Sequence, residues 1–110
     1  MNIVHKEGYH LITSDEDSFS SFFKNFSKAF SSLEKNHVII QLSENLNVVK
    51  DEISLFLDFS SRLQQNGMSF VVIIKNVNVD DFPEEFNIVP TLVEAEDVID
   101  MENMQRELGF

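Results

Sequence analysis

The stretch HVIIQLSENLNVVKDEISLFLDFSSRLQQNGMSFVVIIK, residues 37–75, changes its hydrophobic period twice. It opens on one apolar run, HVIIQLS, and closes on another, SFVVIIK, β-branched and apolar on both faces, as a strand covered from both sides must be. Between the runs Val49, Ile53, Phe56, Leu57 and Leu63 keep helical spacing, and Phe59 widens the apolar face, which predicts a helix over residues 49–65. Asp51 and Glu52 favour its positive end, and Asn66-Gly67 supplies a left-handed stop. Two buried strands around one amphipathic helix make a βαβ unit, whose crossover is right-handed.

Towards the N-terminus, residues 2–13 read as a short hairpin, NIVHK and YHLIT around a turn at Glu7-Gly8. A helix follows, with Phe19, Phe22, Phe23, Phe26, Phe30 and Leu33 on a single stripe. Ser14 is its expected N-cap, with Asp15, Glu16 and Asp17 at the positive end, and the stripe is expected to be core rather than a ligand pocket. Ser18, Ser21 and Ser32 lie off the stripe and should be solvated. Towards the C-terminus, the connection NVNVDDFPEEFN is too short and too acidic for a long helix, and Pro83 with Asp80-Asp81 predicts at most one helical turn. Phe82 and Phe86 are candidate anchors, Ile88-Val89 reads as a last short strand, and Thr91 to Glu94 reads as a capping box opening a final helix. Leu92, Ala95, Val98 and Ile99 form its inner face, Met101, Met104 and Leu108 are core edge or an exposed patch, and Gly109 is a stop with Phe110 folding back. The expected fold is α/β: one domain, residues 1–110, with a single mixed sheet, an N-terminal hairpin and the order ββαβαβ(turn)βα.

Charge narrows the partners. The net charge is −11; ten acids from Asp80 to Glu107 against Arg106 alone put −9 of it in residues 80–110 and leave −2 elsewhere. Such a surface repels phosphate backbones and anionic lipid, so direct nucleic-acid or membrane binding is not expected. Glu94, Glu96, Asp97 and Asp100 form an acidic helix face that either solubilises the chain or meets a basic partner. There is no cysteine, the start MNIVHKEG has neither a basic nor an apolar leader region, and no apolar run approaches the ~20 residues of a span. Cytoplasm is the expected location.

Chemistry is harder to find. His5 and His10 fall on opposite side-chain phases if the strands were continuous, and His37 begins a strand; none stands in a metal-binding spacing. Glycine occurs only at positions 8, 67 and 109, so no phosphate loop follows a strand. No serine sits in a nucleophile elbow. No catalytic, cofactor or metal residue is assigned, and the reading is a non-enzyme, with an unrecognised hydrolase as the remote alternative.

The βαβ unit resembles STAS domains, the fold of bacterial anti-sigma-factor antagonists. Members run a strand ending Asp-Leu-Ser, an Asp-Ser-Ser-Gly turn, a helix, and a glycine before the next strand. Here Gln41-Leu42-Ser43 stands in the first place, and the spacing from Ser43 to Gly67 fits without a gap. The hairpin and PTLVEAEDVI look like the family's beginning and end, so the likeness spans nearly the whole chain as a pattern of elements. It departs at the family's functional turn, where Val49-Lys50-Asp51-Glu52 stands and Lys50 takes the place of the phosphorylated serine. No Ser or Thr lies between Ser43 and Ser54, so a small slip of register changes nothing. The resemblance implies a regulatory interaction module locked or repurposed by that lysine, binding a protein regulator such as an anti-sigma-factor-like kinase through Ser43, Asn45, Asn47, Lys50, Asp51 and Glu52. The segment from VPTLVEAEDVIDME to RELGF also looks like short proteins labelled ribonuclease Z, but the H-x-H-x-D-H site of that nuclease is missing from this sequence. That likeness implies an accessory partner of an RNA-processing enzyme. A homodimer is also expected if Phe82, Phe86 or the methionines are left partly exposed.

Overall fold

The computed structural model describes residues 1–109. Its elements run β1 (Asn2–Lys6), β2 (Tyr9–Thr13), α1 (Phe19–Leu33), β3 (His37–Gln41), α2 (Lys50–Ile53), α3 (Leu57–Gln65), β4 (Phe70–Ile73), β5 (Asn87–Val89) and α4 (Leu92–Glu107). The strands form one mixed sheet in the order β1-β2-β3-β4-β5, with β1 antiparallel to β2 and the other pairs parallel. Successive strand side chains alternate between faces, so Val38 and Ile40 join Phe70 and Val72 beneath α1 and α3, while Ile39, Val71 and Ile73 meet Ala95 and Ile99 of α4. Both faces are covered, which is why VII and FVVI are apolar at every position.

The phenylalanine stripe builds the larger core. Phe19, Phe22, Phe26 and Phe30 of α1 are buried, and the Phe56 ring sits edge-on to Phe19 and Phe26, both at 5.7 Å. Ser18, Ser21 and Ser32 are exposed. The connection before β5 carries a single 3-10 turn, Val79–Asp81, and its Phe82 and Phe86 are buried against the core. Those two phenylalanines need no second copy to hide them.

Several expectations are corrected. α1 begins at Phe19, capped by Ser18, whose hydroxyl accepts from the Ser21 N–H at 3.2 Å. Ser14 is engaged elsewhere, because its hydroxyl accepts the Ser43 N–H at 2.7 Å and so joins the exits of β2 and β3. Asp15 and Glu16 are turned to the terminal ammonium of Met1 instead of the helix end. The helix expected over 49–65 is broken by a 3-10 turn at Ser54–Phe56, where Ser54 donates its hydroxyl back to the Lys50 carbonyl at 3.0 Å, a bond that competes with regular winding. Val49 is not on the buried stripe; it is the α2 N-cap and 57% exposed. The stop at its far end is as expected: Gly67 has φ +77°, and Met68 and Gly67 donate to the Leu63 and Gln64 carbonyls at 2.8 and 3.0 Å. In α4, Thr91 accepts from the Glu94 N–H at 3.2 Å, and no return bond from the Glu94 side chain is made. Met101, Met104 and Leu108 are exposed. Gly109 has φ +85°, as a stop requires, whereas Phe110 lies outside the described residues.

His5 and His10 are not out of phase. The tight turn at Glu7-Gly8 pairs Lys6 with Tyr9 and therefore His5 with His10, whose Nδ1 atoms are 2.7 Å apart. Burial, and next the neighbouring His5, lower the pKa of His10.

Candidate functional site

The carboxyl ends of parallel strands are where α/β sheets place their crevices, because the loops that leave the strands diverge there. Here β2, β3, β4 and β5 all end on one edge, and a cavity of about 590 Å³ opens along it. Thr13 and Ser14 line it from β2, Gln41 to Ser43 from β3, Ile73 to Val77 from β4, and Pro90 from β5; Glu44, Asn47 and Val48 close one side. The floor is stitched by backbone bonds: Ser14 N–H to Gln41 at 3.2 Å, Leu42 N–H to Ile73 at 3.3 Å, and Ile74 N–H to Val89 at 3.0 Å.

The loop from β3 to α2 is built by its own polar residues. The Ser43 hydroxyl accepts the Asn45 N–H at 3.3 Å, Glu44–Leu46 makes one 3-10 turn, and Asn47 ends it in the left-handed region at φ 48°, ψ 50°. Asn76, φ 63°, plays the same part after β4. Asn47 and Asn76 are the non-glycine residues with positive φ among the described residues, and both line this cavity. Asparagine tolerates that conformation better than other side chains because its amide can bond locally. Across the mouth Lys75 meets Glu44 at 3.8 Å; both are well exposed, so the pair contributes at most a few tenths of a kcal/mol, roughly.

The residues singled out from the sequence are partly brought together. Ser43 and Asn47 line the cavity. Asn45 faces a neighbouring depression shared with Ser14 and the acidic segment 15–17. Lys50 and Asp51 stand exposed in the first turn of α2, whereas Glu52 is occupied: its carboxylate accepts the Val49 N–H at 3.1 Å. Of the acidic face, Glu96, Asp97 and Asp100 line a separate groove beside the hairpin, and Glu94 stands exposed outside that groove. Glu96 accepts the Tyr9 hydroxyl at 2.5 Å; burial, helped by that carboxylate, pushes Tyr9 up to about 12.

Two features escape the sequence. The cavity walls Thr13, Gln41, Lys75 and Asn76 are residues at or just beyond strand ends, a signal legible only once the strands are known to be parallel. The other is a polar cluster at the opposite edge. Fully buried Ser69 donates to Glu102 at 2.6 Å and accepts from Arg106 at 2.9 Å, while Asn87 donates to Glu102 at 3.0 Å. The His37 ring accepts the Ser69 N–H at 2.8 Å, and burial, with Arg106 close by, lowers its pKa. This cluster ties α4 to the sheet. No buried side-chain polar atom of the cluster is left without a partner, and the Ser69 hydroxyl is held between the Glu102 carboxylate and the Arg106 guanidinium.

Chemically, the carboxyl-edge cavity offers hydroxyls, amides and one ion pair, with the three histidines elsewhere. Among the described residues no group of three or more His, Asp or Glu is placed to hold a metal ion. Among them, too, no helix is long and apolar enough to cross a membrane. Comparison with protein-family models matches none to this chain, and comparison with curated proteins finds no relative.

Proposed function

We propose that this chain is a non-catalytic STAS-like interaction module that binds a protein regulator through the β3–α2 loop and the start of α2. The observation that carries the reading is the form of that loop. It leaves the sheet at the carboxyl edge, turns over a polar cavity, and presents Lys50 and Asp51 to solvent at the first turn of a helix. In the family it resembles, the corresponding turn carries, at the place of Lys50, a serine whose phosphorylation adds a charge of about −1.5 to −2. A lysine at that place carries a fixed positive charge and accepts no phosphoryl group under such a kinase, so the module is constitutive rather than switched.

The mixed sheet with an antiparallel first strand and helices on both faces supports the same reading, as does a cavity lined by amides, hydroxyls and one ion pair, groups suited to polar recognition. The test is capture of a specific protein by the purified chain, followed by affinity measurement with Lys50→Glu and Asp51→Lys. Both side chains are exposed, so neither change should alter folding, and each should weaken the complex about tenfold by setting a like charge against its partner group. Unchanged affinity in both variants removes the site assignment. Turnover in a broad hydrolase and phosphatase screen removes the non-catalytic reading.

A further inference from the structure

The helix α4 is apolar on two sides. Its inner side packs on the sheet through Ala95 and Ile99. Its outer side carries Val93, Met101, Met104 and Leu108, which are 67, 56, 61 and 70% exposed. At about 3.6 residues per turn these four fall within an arc of roughly 80°. An apolar stripe on the solvent side of a surface helix adds nothing to the fold and works against solubility. Methionine in such a stripe suits a surface that adapts to an apolar partner.

Carboxylates surround it. Asp97 and Asp100 lie within or beside the stripe, and with Glu96 and Glu7 they line a groove of about 400 Å³ between α4 and the β1–β2 hairpin, which Val93 shares with the stripe. The cation of α4, Arg106, is turned away into Ser69, Asn103 and Glu102. We infer that the outer side of α4 is a docking surface for a basic amphipathic helix, which lays its apolar side on the methionine stripe and sends lysine or arginine into the acidic groove. Charge selects this occupant. A second copy would set Glu96, Asp97 and Asp100 against their own images, and anionic lipid is repelled by the same groups. The surface is separate from the β3–α2 loop and does not depend on it.

The test uses the full chain and a synthetic helical peptide of leucine and lysine, amphipathic and about five turns long, with a scrambled peptide of the same composition and a leucine–glutamate peptide as controls. Fluorescence anisotropy should give saturable binding of the amphipathic basic peptide alone. The double variant Met101→Ser/Met104→Ser should weaken it roughly tenfold, Asp97→Asn/Asp100→Asn should do the same and flatten the salt dependence, and Lys50→Glu should leave it unchanged. All of these side chains are exposed, so the thermal transition should not move. Equal binding of the scrambled peptide, or wild-type affinity in both double variants, reduces the effect to diffuse attraction and overturns the proposal. A stable dimer in sedimentation, lost in Met101→Ser/Met104→Ser and unaffected by the peptide, assigns the surface to a second copy and overturns it equally.

Discussion

Phe56 is the residue on which the larger core turns, and Phe56→Ala measures how much. Its ring is fully buried where the helix tightens between α2 and α3, packed against Phe19, Phe22, Phe23, Phe26 and Phe70 at centroid distances from 5.4 to 6.5 Å. Truncating a buried phenylalanine costs about 3–5 kcal/mol, combining lost transfer free energy with the cavity left behind. Phe56 belongs at the upper end because its neighbours come from α1 and β4 as well as its own helix, so no single element can close the gap. A chain of 110 residues has a total stability of roughly 5–16 kcal/mol, so the loss is a large part of the whole. With an unfolding entropy of about 2.1 cal/mol/K per residue, a loss of 3–5 kcal/mol lowers the melting temperature by roughly 13–22 °C.

The control is Phe23→Ala. Phe23 lies on the α1 stripe and touches the same cluster, 5.4 Å from Phe56, but is partly exposed, so its loss should cost about 1–2 kcal/mol. Urea titration followed by circular dichroism gives both values on one scale, and Phe56→Leu, which keeps most of the bulk, supplies a folded variant should the alanine form unfold. Equal costs at positions 23 and 56, or a cost below about 1.5 kcal/mol at Phe56, would refute the claim that this ring joins the layers.

The cap of α4 is one-sided, so Thr91→Ala should cost about 1 kcal/mol in urea titration while Glu94→Ala costs a few tenths at most. Gly67 sits at φ +77° with open space where a Cβ would go, so Gly67→Ala should cost about 1–2 kcal/mol from backbone strain alone, and Gly67→Asn less. Burial alone would raise the Glu16 carboxyl, but the terminal ammonium, Asn25 and backbone N–H groups outweigh it and hold it down to about 2. Because the folded value lies below the ordinary 4.5, the contribution is full above that pH and is lost as pH falls towards 2. Glu16→Gln should therefore flatten the acid limb of a stability–pH curve between those values.

What can be read in the sequence is whatever depends on neighbours a few residues away. The helical spacing of the phenylalanines, the Asn66-Gly67 stop and the alternation-free strands are all local signals, and each is where the sequence puts it. The start of α1 misleads because Ser14 followed by three acids is a fair imitation of a cap; its hydroxyl is claimed by Ser43, a partner 29 residues away. The His5–His10 pairing is derivable in principle, since a two-residue turn at Glu7-Gly8 fixes the register, and counting along an unbroken strand misses that reset. The Ser69–Glu102–Arg106 cluster joins residues 33 and 37 positions apart and leaves no local trace. The site is half legible for the same reason: Ser43 and Asn47 belong to one loop, but the other walls of the cavity come from three further strand ends.

Asn47 separates what the loop does for the fold from what it does for a partner. Its backbone sits at φ 48°, a conformation that disfavours most side chains, and its amide lies at the wall of the carboxyl-edge cavity. Asn47→Gly keeps the conformation without strain and removes the amide; Asn47→Ala removes the amide and adds about 1 kcal/mol of strain. If the loop is a recognition element, both variants should bind the regulator more weakly by a similar factor, while Asn47→Ala alone loses stability. If the amide serves only to hold the turn, Asn47→Gly should bind like the wild type, and any weakening in Asn47→Ala should track its lost stability. Hydrogen exchange over residues 43–50 distinguishes the two cases directly, because a recognition loop keeps its protection in Asn47→Gly while the affinity falls. Wild-type affinity in Asn47→Gly would move the binding surface off this cavity and onto the exposed first turn of α2 alone.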